Sequence, residues 1–251
     1  MRRRIHMLWK MTLIETRLFL REPMAAFFTL AFPLMLLFLF GAIYGNEPAE
    51  IFGGKGTMDV SVPAYIAMII STVGLLSIAI NVSSYREKGI LRRFRSTPLR
   101  PYVILLDNVL VNFFMTLCGT GLLILAAVLT YHIRFDGNAL LFLAAFTLSA
   151  LSFFSLGFVI ASLASTTRVA QVVGMVIFYP MLFLSGAAIP IEIMPDAIRK
   201  VAGFLPLTYV VDLLQATWFG EPLADQLSGI LILGGVLIAG SALSALTFRW
   251  E

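Results

Sequence analysis

An all-α integral membrane protein of six transmembrane helices is the fold class this sequence predicts, and three observations predict it. The 251 residues are 59% hydrophobic and only 13% charged, against roughly 45–50% and about 25% in an ordinary soluble domain. The apolar residues gather in six long runs between Met24 and Phe248, each close to the roughly 20 residues that cross a bilayer core. Of the 18 Lys and Arg, 14 fall on one side of the membrane these runs imply. The runs are continuous rather than alternating, which excludes a barrel, so helices must satisfy the backbone within lipid. The remaining loops are short, and 1–251 reads as a single transmembrane domain.

Residues 1–22 predict an amphipathic interfacial helix. At about 100° per residue, Arg3, Lys10, Arg17 and Arg21 share a stripe, with Ile5, Leu8 and Phe19 opposite, although Thr12 and Glu15 interrupt that apolar side. A basic tail that acts only during insertion accounts for the same residues. Pro23 suits the first turn of the following span. Spans are expected at about 24–44, 63–82, 104–131, 138–162, 169–190 and 227–248. The first exceeds the 7–15 residues of a signal-peptide core, so it reads as an uncleaved span.

Charge sets the orientation. The amino terminus carries Arg2, Arg3, Arg4, Lys10, Arg17 and Arg21, and the loop after the second span carries Arg86, Lys88, Arg92, Arg93, Arg95 and Arg100. Arg168 and Arg249 complete that side, leaving Lys55, Arg134, Arg199 and Lys200 on the other. The positive-inside rule then places both termini in the cytoplasm, in an inner or cytoplasmic membrane. It also accounts for the net charge of +4, so nucleic acid is not an expected partner.

The basic loop Ser83–Pro101 reads as a short helical hairpin. Ser84-Tyr85-Arg86-Glu87 has the Ser-x-x-Glu pattern of a capping box, and Thr97-Pro98 ends the helix. Gly89 lies inside it, at a cost of roughly 1 kcal/mol against Ala, which makes sense if another surface approaches the backbone closely. On the other side, Ser185–Leu207 is punctuated by Pro190, Pro195 and Pro206, with a small helix starting at Pro195-Asp196. It is too apolar for a solvated loop and too broken for a span, so a re-entrant outer segment between spans five and six is expected.

Several motifs fail. The Gly53-Gly54-Lys55-Gly56-Thr57 run lacks the earlier Gly and the Ser or Thr that a phosphate-binding loop needs next to its Lys. His6 and His132 have no Cys or carboxylate at ligand spacing, so no metal site is expected. Cys118 reads as a small buried or lipid-facing residue. Asp107, at the start of the third span, reads as interfacial rather than lining a pathway. No catalytic pair is visible, so the chain is not expected to be an enzyme.

The hairpin Tyr85-Arg86-Glu87-Lys88-Gly89-Ile90-Leu91-Arg92-Arg93-Phe94-Arg95-Ser96-Thr97-Pro98-Leu99 resembles the signature of type-2 ABC exporter permeases, the ABC-2 membrane family. The stretch Phe178–Gly186, then Pro190, Pro195 and Leu205-Pro206-Leu207-Thr208-Tyr209 ending in Asp212, resembles that family's fifth span and outer segment. The resemblance covers essentially the whole chain. It implies the transmembrane permease subunit of an ATP-driven exporter moving a hydrophobic or amphipathic substrate (a drug, lipid or glycolipid type) outward. It implies a second permease chain and two copies of a separate cytoplasmic ATPase, which binds the ATP and Mg while this chain binds no cofactor. It gives the hairpin the role of a coupling helix, carried onto Arg86, Glu87, Lys88, Gly89, Arg92 and Arg93, with Arg17 and Arg21 of the surface helix facing the same ATPase. In the dimer, Gly41, Gly74 and Gly174 are expected at the chain–chain contact. The competing reading is a membrane-embedded sensor or assembly protein whose basic hairpin binds lipid or a signalling partner.

Overall fold

The computed structural model describes residues 27–89 and 101–247, all helix and connecting turns, with one isolated bridge between Pro48 and Gly56. Six helices are long and apolar enough to span: α1 (Phe27–Tyr44), α2 (Thr57–Glu87), α3 (Pro101–Tyr131, apolar from Leu105), α4 (Ala139–Leu163), α5 (Thr167–Leu184) and a last span, Leu223–Thr247. Between α5 and that span lie two shorter helices, α6 (Asp196–Ala202) and α7 (Pro206–Phe219). The regular part of the last span is α8 (Leu227–Thr247). The expected interfacial helix 1–22, with Arg17 and Arg21, and the part of the hairpin holding Arg92 and Arg93 lie outside the described residues.

α2 is the core of the molecule, with nearly every residue buried from Met58 to Ala79. Its middle, Val73–Ile78, widens into a π-helical turn, a form that gathers where a helix must yield to its neighbours. The neighbours are visible. A Cβ on Gly157 of α4 would stand 2.0 Å from the Gly74 carbonyl oxygen, and one on Gly74 would stand 2.7 Å from that of Phe153. A Cβ on Gly174 of α5 would lie 2.6 Å from the Leu75 carbonyl. Gly74 and Gly174 are therefore spent on contacts within the chain, and Gly41 is covered by the Tyr131 ring. The close approach expected of these three glycines in a dimer is here made within one chain.

α4 and α8 are joined by small polar residues rather than by apolar packing alone. Ser152 Oγ donates to the Leu233 carbonyl at 2.8 Å and Ser155 Oγ to that of Val236 at 3.2 Å. The hydroxyls of Ser162 and Thr247 lie 2.7 Å apart at the end of the same seam. In a lipid-like surrounding, close approach and interhelical hydrogen bonds replace the hydrophobic effect as the force between helices.

The elements sort into two ends. At one, Asn46, Asp59, Tyr131, Arg134, Trp218 and Glu221 meet; at the other, Arg86 and Glu87 meet Ser162, Ala164 and Thr167. The first end holds the connections after α1, α3 and α5, the second those after α2 and α4, as six antiparallel crossings require. Cys118 is exposed on α3. Asp107 is buried with Asn108 and Asn112.

Two span boundaries differ from expectation. α2 starts at Thr57 and runs on through Glu87, and α5 stops at Leu184 rather than near residue 190. α7, which the sequence reading passed over, is almost wholly buried. Trp218 packs edge-on against Phe135 and Phe142 while its indole N–H donates to the Arg134 carbonyl at 2.8 Å.

Candidate functional site

The continuation of α2 changes the geometry of the basic end. Ser84 does not open a new helix: its carbonyl accepts from the Lys88 N–H at 3.0 Å, inside the last turn of α2. The expected capping box is therefore absent, because the Ser-x-x-Glu spacing is also met by a helix that simply continues. Gly89 has φ +64°, and a Cβ there would meet nothing within 4 Å. Its positive φ ends α2 in a left-handed turn that L side chains resist.

What Glu87 does instead is cap a different helix. Its carboxylate Oε2 accepts from the Thr167 backbone N–H at 2.8 Å and from the Thr167 hydroxyl at 2.5 Å. Thr167 is the first residue of α5, and the preceding Thr166 accepts the Val169 N–H at 3.3 Å. The first turn of a helix exposes N–H groups without partners and carries the positive end of the helix dipole. A carboxylate placed there is matched in both respects.

Arg86, the neighbouring residue, does the converse. Its guanidinium donates to the carbonyls of Ser162, at 3.3 Å, and of Ala164. These are the last carbonyls of α4, where the dipole is negative and the oxygens lack helical partners. Adjacent residues of α2 thus place a cation on the end of α4 and an anion on the start of α5, gripping the turn Ala164–Thr166 from both sides. Lys88 is exposed beyond them. Arg86, Glu87, Lys88 and Gly89 are therefore brought together, and Ser162, Ala164 and Thr167 are partners that sequence reasoning missed. The Ser165-Thr166-Thr167 run before an apolar stretch was the available signal for the α5 cap.

At the opposite end each expected proline sits at the start of an element. Pro190 precedes a short turn of 3₁₀ helix (Ile191–Ile193), Pro195 precedes α6, and Pro206 is the first residue of α7. These are positions where a missing N–H costs nothing. Among the described residues, no three His, Cys, Asp or Glu side chains are arranged to hold a metal ion.

Six apolar crossings, with one end gripped by paired charges, describe a multi-pass membrane protein. The family model for the ABC-2 type transporter matches residues 6–219. The chain belongs to the ABC-2 type transporter family. Nodulation protein J of Rhizobium leguminosarum bv. viciae is 31% identical over 78% of this chain and 75% of its own length. The probable multidrug ABC transporter permease YbhR of Escherichia coli K12 is 26% identical over 65% of this chain and 45% of its own. The inner membrane transport permease YhhJ of the same strain is 23% identical over 73% of this chain and half of its own length. ABC-2 permeases are transport subunits that work with an ATPase subunit, so the gripped basic end of this ABC-2 chain is its candidate coupling site.

Proposed function

We propose that this permease is the transmembrane subunit of an ATP-driven exporter, carrying a hydrophobic or amphipathic compound out of the cytoplasm or inner leaflet. Two permease chains enclose the pathway, and two copies of a separate cytoplasmic ATPase bind the ATP and Mg. The basic end faces the cytoplasm of the cell membrane. The Ser185–Leu207 segment faces out, where it re-enters the membrane surface.

The observation that carries this reading is the grip of Arg86 and Glu87 on the α4–α5 turn. A machine driven by an ATPase needs contacts that differ between its two states, because a ligand shifts a conformational equilibrium only by its differential interaction with them. Displacement of the hairpin reaches α5 through Glu87 and Thr167 and α4 through Arg86. It also reaches the far end through α2, a single helix of 31 residues and so about 46 Å long at 1.5 Å per residue. Arg92 and Arg93, with Arg17 and Arg21, supply the basic surface that the ATPase meets.

The test is reconstitution with the ATPase subunit that co-purifies with the permease. Glu87→Ala is expected to leave insertion and ATPase assembly intact, while reducing substrate-linked ATP turnover by several-fold. Glu87→Gln, which keeps an acceptor for Thr167 but loses the charge at the dipole, should fall between. Wild-type turnover in Glu87→Ala, or failure of any ATPase to co-purify, overturns the proposal.

A further inference from the structure

Two cavities adjoin at the end opposite the coupling site. The larger, about 690 Å³, lies between the ends of α1 and α2 and the outer segment and is walled mainly by apolar groups, among them Phe40, Tyr44, Tyr65, Ile189 and Ile193. That volume lies within the roughly 300–1,000 Å³ of small-molecule sites. The smaller, about 250 Å³, is lined by Lys55, Glu192, Asp212, Gln215, Glu221 and Gln226 among others. Ile51 and Phe52, on the short turn Glu50–Phe52, belong to both walls. Val60 and Gln215 line both the smaller cavity and a closed neck that also touches Ser61, Tyr65 and Pro190 of the larger. An apolar chamber is therefore set beside a polar one.

The charge of the polar chamber has a definite sign. Among the described residues its one cation is Lys55, already committed: the ammonium lies 3.0 Å from the Glu221 carboxylate and 3.6 Å above the Phe219 ring. That leaves Glu192 and Asp212. The Oε2 atom of Glu192 is buried without a hydrogen-bond partner among the described residues. Arg199 bonds the Glu192 backbone carbonyl, at 2.6 Å, and forms its ion pair with Asp196. Burial and the Glu192 charge push the Asp212 carboxyl up to about 6. Two carboxylates held together without a counter-charge among the described residues are costly, and a cation entering the chamber relieves that cost.

We propose that the paired chambers bind an amphipathic organic cation, its apolar body among Phe40, Tyr44 and Tyr65 and its cationic head against Glu192 and Asp212. This rests on the permease reading and names its substrate class. The aromatic walls add to the preference, since ring faces attract cations as well as apolar surface. An anion of the same shape meets Glu192 and Asp212 and is rejected, and a neutral amphiphile leaves both carboxylates uncompensated.

The permease alone, in lipid nanodiscs, is titrated calorimetrically with decyltrimethylammonium, and with decyl sulfate and decanol as anionic and neutral counterparts, against empty nanodiscs. Saturable binding of the cation is expected. Asp212→Asn combined with Glu192→Gln should weaken it at least about tenfold, the scale of one lost charge interaction of about 1.4 kcal/mol. In the wild type, cation affinity should rise as pH climbs through about 6, because Asp212 is neutral below that value and charged above it. Glu192, Glu221 and Lys55 also face the chamber, and the double variant should flatten the profile. Equal binding of decyl sulfate, unchanged affinity in the double variant, or a flat wild-type profile overturns the proposal. The pH series needs no variant, so it decides even if the double variant folds poorly. No ATPase is present, so failure here leaves the coupling reading standing, and failure of coupling leaves this binding intact.

Discussion

Asn46 shows how a single side chain can hold one end of a membrane protein together. Its Oδ1 accepts from the N–H groups of Met58 and Asp59 at 3.0 and 3.1 Å, and its Nδ2 donates to Asp59 Oδ1 and to the Tyr131 carbonyl. Asp59 in turn accepts from the backbone N–H groups of Gly56, at 3.2 Å, and Arg134, at 2.9 Å. The first turn of α2 is thus capped from a distance, because Gly56 has no side chain and a Cβ there would meet Asn46 Oδ1 at 2.1 Å. Asn46→Ala strands buried groups and should cost about 1–3 kcal/mol, read as a Tm several degrees lower in detergent. Asn46→Asp keeps an acceptor but sets a second carboxylate against Asp59, and should not rescue. A Tm within error of wild type in Asn46→Ala means that the network is incidental. None of this was legible in the sequence: Asn46 and Asp59 are 13 residues apart and read as ordinary loop polarity, and their pairing exists only once α3 returns to the same end. Glu87 is the complementary case. Its importance was legible from the charge pattern, but its partner was not, since Thr167 lies 80 residues away.

At the scale of elements, five of the six spans were legible to within a few residues at one end or both, because 20-residue apolar runs leave lipid little choice. Two errors share a physical origin. α2 extends through Asn81, Ser83 and Ser84, polar residues that read as the end of a span. There the helix packs against α4 and α5, so polar side chains do not mark its end. α7 was missed because it is 14 residues long, too short for a span, and its apolarity reflects burial in protein rather than contact with lipid. Its bounds were nonetheless written in the sequence, with Pro206 at its first position and Gly220, at φ +72°, just past its end. The crossing of α2, α4 and α5 gives a sharper prediction. Gly157→Ala places a methyl 2.0 Å from the Gly74 carbonyl, where backbone rather than a flexible side chain must move. Overpacking of this kind typically costs about 1–3 kcal/mol. Gly121→Ala on α3, with nothing within 4 Å of its Cβ, is the matched control and should be close to neutral. Thermal melts of the two variants in detergent check this, and equal melting temperatures would remove the crossing from the list of specific contacts.

For the whole molecule the open physical question is which end faces the cytoplasm, and charge answers it in a testable way. Among the described residues the end that holds Arg86 presents Arg86, Lys88 and Arg168 beside Glu87, and in the whole sequence the segments before the first span and after the second, fourth and sixth carry 14 of the 18 Lys and Arg. The opposite end mixes Lys55, Arg134, Arg199 and Lys200 with Glu47, Glu50, Asp59, Asp136, Glu192, Asp196, Asp212, Glu221 and Asp225. Positive residues close to span ends resist translocation, whereas acidic residues have little effect, so the end with 14 of the 18 Lys and Arg is expected to remain inside. The structure adds something the charge count lacked. The helix ends group in space as an odd and an even set, so fixing one loop fixes all of them. Single cysteines in a Cys118→Ser background decide it, using Glu50→Cys for one end and Lys88→Cys for the other. Both positions are exposed, and neither side chain belongs to the Asn46 network or grips the α4–α5 turn. An impermeant maleimide added to intact cells should label residue 50 and should reach residue 88 only after permeabilisation. The reverse pattern would turn the protein over, placing the coupling site outside, away from ATP, and the proposed export function would fall with it.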